Sequence, residues 1–219
     1  MAKRIKKSTA IVCGLLGALV VGGAIGAIGY VSKGFDKDII NGMLEKKYDY
    51  TRVDLTNNYK EAQTLTATTA VTALNYNLDE DLFKTVTITS GAITQENGGL
   101  AFAIGTYKLT FQTDKLFDHY RVTAFNGFTE SEVENEKGKT ETNYLSQVGS
   151  ISLADSEAYK LPSNADNTLK KPAQEKVSYV TEFKENEITI SITGGKVVLT
   201  EMEVWNVKDS SIKNTSSAS

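Results

Sequence analysis

Residues 186–207 read NEITISITGGKVVLTEMEVWNV, and apolar and polar side chains alternate on both sides of the glycine pair at its centre. Ile188, Ile190 and Ile192 alternate with threonine and serine. A period of two places alternate side chains on opposite faces of a strand, so one face is apolar and the other polar. The stretch therefore predicts two strands, each with one face on a core and one facing water.

The same alternation recurs toward the N-terminus, in residues 85–89, 100–104, 107–112 and 119–125. Strands with one buried and one solvated face are typical of antiparallel sheets, and not of parallel sheets covered by helices. Residues 48–207 are long enough for one core but short for two domains. The sequence predicts an all-β domain there, a single antiparallel β-sandwich.

Three segments interrupt or flank the predicted strands. Residues 129–143 hold five glutamates and two lysines, which predicts a solvated hairpin tip or a mobile flap, and residues 155–176 hold both prolines of the chain. Asp79, Glu80 and Asp81 precede a strand; their spacing favours a turn or a helix-capping cluster over a calcium loop. The polar residues 208–219 are expected to form a disordered tail.

Residues 10–31 (AIVCGLLGALVVGGAIGAIGYV) carry no charge and follow the basic segment 1–9. At about 1.5 Å per residue a helix of this length reaches roughly 33 Å, enough to cross a hydrocarbon core of about 30 Å. The preceding lysines and arginine favour a cytoplasmic N-terminus. The sequence thus predicts a single-pass anchor in the cell membrane, a juxtamembrane linker or short helix over residues 32–47, and an extracellular C-terminal domain.

A cleaved signal peptide is the alternative, but secretory apolar cores usually run about 7–15 residues, which favours an uncleaved anchor. Gly14, Ala18, Gly22 and Gly26 recur at every fourth position. Small residues at this spacing lie on one helix face and permit close helix contact. A homodimer through this helix is therefore a further hypothesis.

Charge and cysteine content narrow the chemistry. The formal net charge is −3, and the basic segment contributes +4, so the rest of the chain carries −7. An acidic domain disfavours nucleic acid as a partner. Cys13 is the only cysteine and lies in the apolar run, so the domain has no disulfide; this favours a bacterial surface protein.

Catalytic components are scarce in this sequence. His119 is the only histidine, and a nucleophilic triad or a zinc site needs more histidine or cysteine than the domain has. The glycine pairs at residues 98–99 and 194–195 do not lie between a strand and a helix, as a phosphate-binding loop would. Acidic residues are plentiful, but no pair stands out as a hydrolase dyad. We expect no enzyme, no metal and no cofactor.

Binding residues are easier to nominate. In the last strand Met202 and Val204 take the core side, which turns Glu201, Glu203 and Trp205 outward. The same alternation turns Arg121 and Phe125 outward on their strand. Aromatic faces can stack on sugar rings, with polar groups satisfying the hydroxyls. On these grounds the candidate ligand-binding residues are Trp205, Tyr144, Tyr159, Arg121 and Phe125.

Residues 96–128 (ENGGLAFAIGTYKLTFQTDKLFDHYRVTAFNGF), together with residues 186–207, resemble the galactose-binding-like jelly-roll modules of bacterial surface proteins. A glycine-closed strand pair leads to a strand like residues 119–125, and the module ends on a strand like LTEMEVW. The resemblance covers roughly residues 86–207 and implies a jelly-roll sandwich. It supplies no ligand motif that can be carried over residue by residue.

Together these patterns predict a membrane-anchored surface protein whose non-catalytic domain serves recognition or adhesion, with carbohydrate the first ligand class to test. The alternative is a structural envelope or assembly protein that acts through protein contacts. Exposed aromatic residues at one loop end would favour a glycan, whereas an apolar patch or an open sheet edge would favour a protein.

Overall fold

The computed structural model describes residues 48–56 and 62–207. The predicted basic segment 1–9, the membrane run 10–31, the juxtamembrane residues 32–47 and the tail 208–219 lie outside the described residues. No helix within the described ranges has the length and hydrophobicity needed to cross a bilayer.

The described residues are mostly strands, with one helix, α1, at Ala67–Asn75. In chain order the strands are β1 (Tyr48–Asp54), β2 (Gln63–Leu65), β3 (Phe83–Ser90), β4 (Ile93–Glu96), β5 (Gly99–Phe102), β6 (Gly105–Phe111), β7 (Phe117–Asn126), β8 (Phe128–Glu134), β9 (Thr140–Ser146), β10 (Ser150–Leu153), β11 (Tyr159–Lys160), β12 (Glu175–Glu185), β13 (Glu187–Thr193) and β14 (Val197–Val207).

These strands form three sheets, and every pairing in them is antiparallel. The seven-stranded sheet has the order β12-β7-β14-β5-β4-β2, with β1 paired to β14 as well. The five-stranded sheet has the order β11-β10-β13-β6-β3, and β8 and β9 form a separate hairpin. The predicted all-β, antiparallel class is confirmed.

One apolar core joins the two larger sheets. Val122 and Met202 of the seven-stranded sheet belong to the same buried cluster as Leu109 and Ile190 of the five-stranded sheet. The alternation predicted for β6 and β13 is confirmed, since every second residue of each strand is buried. The arrangement is that of a β-sandwich, two sheets packed by their apolar faces.

Eight of the strands pair in a nested series. β5 pairs with β14, β6 with β13, β7 with β12, and β10 with β11. The first strand of the series thus pairs with the last, the second with the second last, and so on inward. This is the pairing order of one long hairpin.

The two ends of the seven-stranded sheet differ in what they carry. Tyr48 pairs with Val207 at one end, where β7 begins and Glu185 pairs with Phe117. We call this the lower end. Asn126 pairs with Val197 at the upper end, where the β8–β9 hairpin begins two residues later. β7 has ten residues, so the ends are separated by roughly 30 Å at about 3.3 Å per residue.

Helix α1 is not predicted by the sequence analysis. Thr66 caps it: its hydroxyl accepts from the Thr69 amide at 3.3 Å, and its own amide donates to Thr69 Oγ1 at 2.8 Å. At the other end the buried Asn75 donates to the Phe83 carbonyl at 2.8 Å and accepts from the Phe83 amide at 2.9 Å. The helix is therefore tied to β3 by tertiary bonds, which local alternation does not reveal.

Two further differences concern strand limits. The predicted strand over residues 100–104 ends at Phe102, and Ile104 is 58% exposed. At the following residue, Gly105, the backbone passes so close to β3 that a Cβ atom would lie 2.2 Å from the Ser90 carbonyl oxygen. The acidic residues 129–143 form the predicted hairpin tip, but most of them are in the strands β8 and β9.

Candidate functional site on the outer face of the seven-stranded sheet

The outer face of the seven-stranded sheet is the face turned away from the shared core. At the lower end, strand register places Tyr50 of β1 opposite Trp205 of β14, and Trp205 opposite His119 of β7. His119 in turn lies opposite Val180 of β12. We call these four residues the lower row; they cross four adjacent strands on one face.

The next row on the same face is ionic. Arg121 Nε donates to Glu203 Oε2 at 2.5 Å, and Arg121 Nη2 bonds Glu203 Oε1. The Tyr50 hydroxyl donates to Glu203 Oε1 at 2.7 Å. The side chains of Arg121 and Glu203 are only 3% and 4% exposed. Both oxygens of this carboxylate therefore have donors in a buried position.

Glu201 extends the row along β14. Arg52 Nη2 lies 2.5 Å from Glu201 Oε2, and Lys176 Nζ lies 3.9 Å from Glu201 Oε1 and 3.9 Å from Glu203 Oε2. We call Arg52, Arg121, Lys176, Glu201 and Glu203 the ionic cluster. Glu201 and Glu203 lie on the same face of β14, where their negative charges repel each other. The three cations beside them offset this repulsion.

Burial and close charges shift the pKa values of Glu203, Tyr50 and Arg121. Burial acts to raise the pKa of Glu203, but the hydrogen bonds and charge of Arg121, with the Tyr50 hydroxyl, outweigh burial and hold that pKa below its usual value. Burial, reinforced by the Glu203 charge, raises the pKa of Tyr50. Burial acts to lower the pKa of Arg121, and Glu203 more than offsets this. Glu203 is thus held as a carboxylate at neutral pH, which does not suit a general acid.

The Trp205 ring covers part of this cluster. Its ring stacks on His119 with centroids 5.1 Å apart, and the Arg121 guanidinium carbon lies 5.6 Å from the Trp205 ring centroid. The Tyr50 ring is 6.4 Å away on the other side. His119 Nδ1 lies 2.6 Å from Asp118 Oδ1. Trp205 is 8% exposed, so its faces are occupied by protein.

Two polar atoms of this region have no hydrogen-bond partner. Among the described residues, the buried side-chain nitrogen and oxygen atoms that lack one are Arg52 Nε and Thr123 Oγ1. Thr123 lies opposite both Glu201 and Lys176 in the register. The two glutamates otherwise take their hydrogen bonds from Arg52, Arg121 and Tyr50, which is the arrangement expected of a structural network and leaves few free groups for a ligand.

A second, apolar cluster lies on the outer face toward the upper end. Phe125, together with Ala101 and Val198, packs against Phe128 at the start of the hairpin, and the ring centroids of Phe125 and Phe128 are 5.9 Å apart. Tyr144 of β9 meets Phe128 edge-on, with centroids 5.4 Å apart. The hairpin is therefore docked at its base by aromatic contacts.

Lys171 completes this docking. Its ammonium group lies 5.4 Å from the ring centroids of both Phe128 and Tyr144, and 3.8 Å from Glu130 Oε1. A cation over two aromatic faces strengthens the packing where water is partly excluded. The Tyr144 amide also donates to the Thr168 carbonyl at 2.7 Å. The loop before β12 thus holds the base of the hairpin in place.

Beyond its base the hairpin is exposed on both faces. Glu130, Glu132 and Glu134 alternate along β8 and lie opposite Tyr144, Thr142 and Thr140. The other face carries Val133 and Leu145, which are 39% and 63% exposed. The ribbon thus has one acidic face and one partly apolar face, both accessible.

The five predicted binding residues fall into three places. Trp205 and Arg121 lie together beside the ionic cluster, Phe125 and Tyr144 lie together under the hairpin, and Tyr159 lies on β11 in the other sheet. Tyr144 is half-buried and Tyr159 is 43% exposed.

The predicted exposure is wrong for Trp205, Arg121 and Phe125, which are 8%, 3% and 5% exposed. Their outward direction is as predicted, since they lie opposite to the core side chains of their strands. They are buried because neighbouring long side chains cover the first two and the hairpin base covers Phe125. Alternation identifies the face of a sheet; it does not identify what covers that face.

No local pattern in the sequence identifies Tyr50, Arg52 or Lys176 as members of this site. Tyr50 and Glu203 are separated by 153 residues in the chain. The one relevant feature of the sequence is the alternation along each strand, which predicts that Glu201, Glu203 and Arg121 point outward. Their pairing depends on register between strands that are distant in sequence, which local patterns do not contain.

Asp79, Glu80 and Asp81 lie in the loop between α1 and β3. In the described part of the chain, no three histidine, cysteine, aspartate or glutamate side chains come together as a metal-binding group.

The fold and the outer face define a class: an all-β domain of antiparallel sheets on one core, with a paired ionic cluster and a docked hairpin on its outer face. No protein-family model matches this chain, and no curated protein matches it. Function is therefore inferred from the geometry.

Proposed function

We propose that this chain is a membrane-anchored, non-catalytic recognition protein whose β-sandwich lies outside the cell and binds a protein partner at its upper end. The β8–β9 hairpin carries this proposal. It begins at the end of the sheet opposite to the end where the chain leaves residues 1–47. A binding element on a membrane-anchored domain is most accessible there.

The strand pairing supports the resemblance to jelly-roll modules, and we extend the proposal to that fold. Two interlocked Greek keys wound around a core produce a jelly roll of eight strands. The nested pairing of β5 with β14 and of β6 with β13 agrees with this winding. Jelly rolls bind many kinds of ligand, so the fold alone leaves the partner open.

The surface near the hairpin supports a protein partner. Leu145, Val148 and Leu169 are 63%, 45% and 50% exposed. The Tyr144 amide donates to the carbonyl of Thr168, the residue before Leu169, so all three exposed residues belong to the chain segments that meet at the hairpin base. A hairpin with an apolar face and an acidic face suits a partner that offers it both apolar and basic side chains.

Carbohydrate is the second candidate, and Tyr159 is the observation that favours it. Its ring is 43% exposed on a short edge strand. Sugar stacking needs an accessible aromatic face, which Trp205 does not offer. The carbohydrate hypothesis therefore rests on Tyr159, with the half-buried Tyr144 as a weaker contributor.

Site-specific photocrosslinking on living cells tests the protein partner. A photoreactive amino acid replaces Val133 or Leu145 in the full chain, and the matched control position is Thr87, which is exposed on β3 in the five-stranded sheet. We expect one discrete adduct from the two hairpin positions and none from Thr87. Replacing Glu130, Glu132 and Glu134 with glutamine should weaken that adduct.

Two results would contradict the proposal. Equal adducts at Thr87 and at the hairpin would show non-specific contact. Binding of the full chain to purified glycans, abolished by Tyr159→Ala and retained by the hairpin variants, would favour carbohydrate recognition instead.

A further inference from the structure

Three exposed apolar side chains belong to the segments of β12 and β7 at the lower end of the sandwich. Phe183, Val180 and Leu116 are 75%, 51% and 43% exposed. Leu116 directly precedes Phe117, which pairs with Glu185, and Val180 pairs with His119. We call Leu116, Val180 and Phe183 the lower patch.

Phe183 is held out by a bulge. β12 leaves its register with β7 between Val180 and Glu185, and within the excursion Thr181 Oγ1 donates to the Phe183 carbonyl. The excursion is fixed at its end, because the Tyr120 hydroxyl lies 3.2 Å from the Glu185 carbonyl and 2.9 Å from the Phe117 carbonyl. A large aromatic side chain is thus displayed on a braced element.

The bulge also indicates what does not occupy this patch. β12 has a paired neighbour on one side only within the described part of the chain, so its other edge is open. Bulges interrupt the ladder of an edge strand and prevent another strand from adding to it. A second copy joined strand to strand along β12 is therefore disfavoured.

The lower patch is at the end where the chain enters the sandwich. Tyr48 opens β1 there, and sixteen residues, 32–47, separate it from the apolar run that ends at Val31. Even fully extended, that segment spans at most about 55 Å. A short tether gives a surface patch a high effective concentration at the membrane, so weak apolar contacts are sufficient.

We propose that the lower patch docks on the lipid interface of the membrane that holds the N-terminal run, with Phe183 inserted among the headgroups. This inference rests on the membrane anchoring proposed above. Aromatic side chains favour the boundary between headgroups and acyl chains. The bulge carries Glu182, Lys184 and Glu185, a net charge of −1, so the contact is apolar and does not depend on anionic lipid.

Lipid quenching of a single fluorophore tests the docking in the full chain. Cys13→Ser removes the native cysteine, and Lys184→Cys or Lys137→Cys introduces a label beside Phe183 or at the hairpin turn. The protein is reconstituted into vesicles of neutral lipid carrying a nitroxide on the headgroup. We expect quenching at position 184 and little at position 137.

The Phe183→Ser variant gives the decisive comparison, because its side chain is mostly exposed and its loss leaves the core intact. Removing a phenyl ring from an apolar contact should lower the ratio of docked to free domain roughly tenfold. The matched control, Val133→Ser at the hairpin, should leave quenching at position 184 unchanged. Added anionic lipid should not increase the quenching.

The possible results distinguish failure of the lipid docking from failure of the membrane anchor. A chain that floats with vesicles and resists urea extraction, yet shows no quenching at position 184, overturns the docking and leaves the anchor standing. Quenching unaffected by Phe183→Ser overturns the docking as well. A chain that does not float overturns the anchor and the docking together.

Discussion

Arg121 and Glu203 face each other across β7 and β14 as a two-point ion pair, on the sheet face that is turned away from the core, and each residue is 3% exposed. An ion pair on the outer face of a sheet is normally exposed to solvent. Here Trp205 and Tyr50 pack beside the pair and exclude water from it. Each charge is therefore stabilised mainly by the other.

Breaking this pair should be strongly destabilising. Glu203→Gln or Arg121→Met leaves one buried charge unpaired, which costs about 3–5 kcal/mol in the free energy of unfolding. The double variant Arg121→Met/Glu203→Leu should recover much of this loss, because no isolated charge remains. Urea unfolding of the full chain measures all three.

The exposed pair of Lys108 and Glu187 is the matched control. Its side chains are 44% and 45% exposed, so Glu187→Gln should change the free energy of unfolding by no more than about 1 kcal/mol. A double variant at Arg121 and Glu203 as unstable as its singles would contradict the interdependence of the two charges.

Acid should weaken the fold partly through Glu203. Its folded-state pKa lies below its usual value, which is about 4.3 in unfolded chains, so its contribution to stability is present above that pH and is lost as the pH falls through the folded pKa. The difference in free energy of unfolding between wild type and Glu203→Gln should be constant from pH 6 to 8 and shrink below about pH 4. A difference that stays constant into acid would show that ionisation of Glu203 plays no part.

Alkali should act through Tyr50. Its folded-state pKa is raised by burial and the Glu203 charge, so its contribution is present below the unfolded value of about 10 and is lost as the pH rises beyond it. Tyr50→Phe removes a bond to a carboxylate, worth about 1.5–3 kcal/mol at neutral pH, and should flatten the alkaline decline. Tyr120 does not bond Glu203, although burial and the Glu185 charge raise its pKa too. Tyr120→Phe should therefore flatten the decline without removing the Glu203 contact.

The tryptophan and tyrosine nominated from the sequence should behave differently. Trp205→Ala removes a ring packed against His119, Arg121 and Tyr50, and should cost about 3–5 kcal/mol in the free energy of unfolding. Tyr159→Ala should stay within about 0.5 kcal/mol, because its side chain is exposed. Thermal unfolding of both variants distinguishes them; equal losses would contradict the assigned packing.

Asn75 should be essential to the position of α1. Asn75→Ala deletes bonds to the Phe83 carbonyl and to the Leu82 and Phe83 amides, buried groups that are then left unpaired, at a cost of about 2–4 kcal/mol. Thr72→Ala, on the exposed side of the same helix, is the control and should be nearly neutral. Amide hydrogen exchange should show faster opening of α1 in Asn75→Ala alone.

Strand positions were predictable because burial repeats every second residue. Ile188, Ile190 and Ile192 are buried as expected, and so are Tyr107 and Leu109. Helix α1 was not predictable in this way: its threonine-rich sequence has weak helix propensity, and its bonds to β3 come from residues that follow it. The limit of β5 depends on the close passage of Gly105 and Ser90, again a contact between elements.

The sequence by itself determined the all-β class, the inner face of each major strand, and the acidic, cysteine-free character of the domain, because alternation and composition are local properties. Only the tertiary structure decided that Arg121 pairs with Glu203, that Trp205 is covered, and that Phe183 is displayed. Register, coverage of the outer face and the bulge in β12 arise from contacts between distant strands, and a change of one residue in register would reassign each of them.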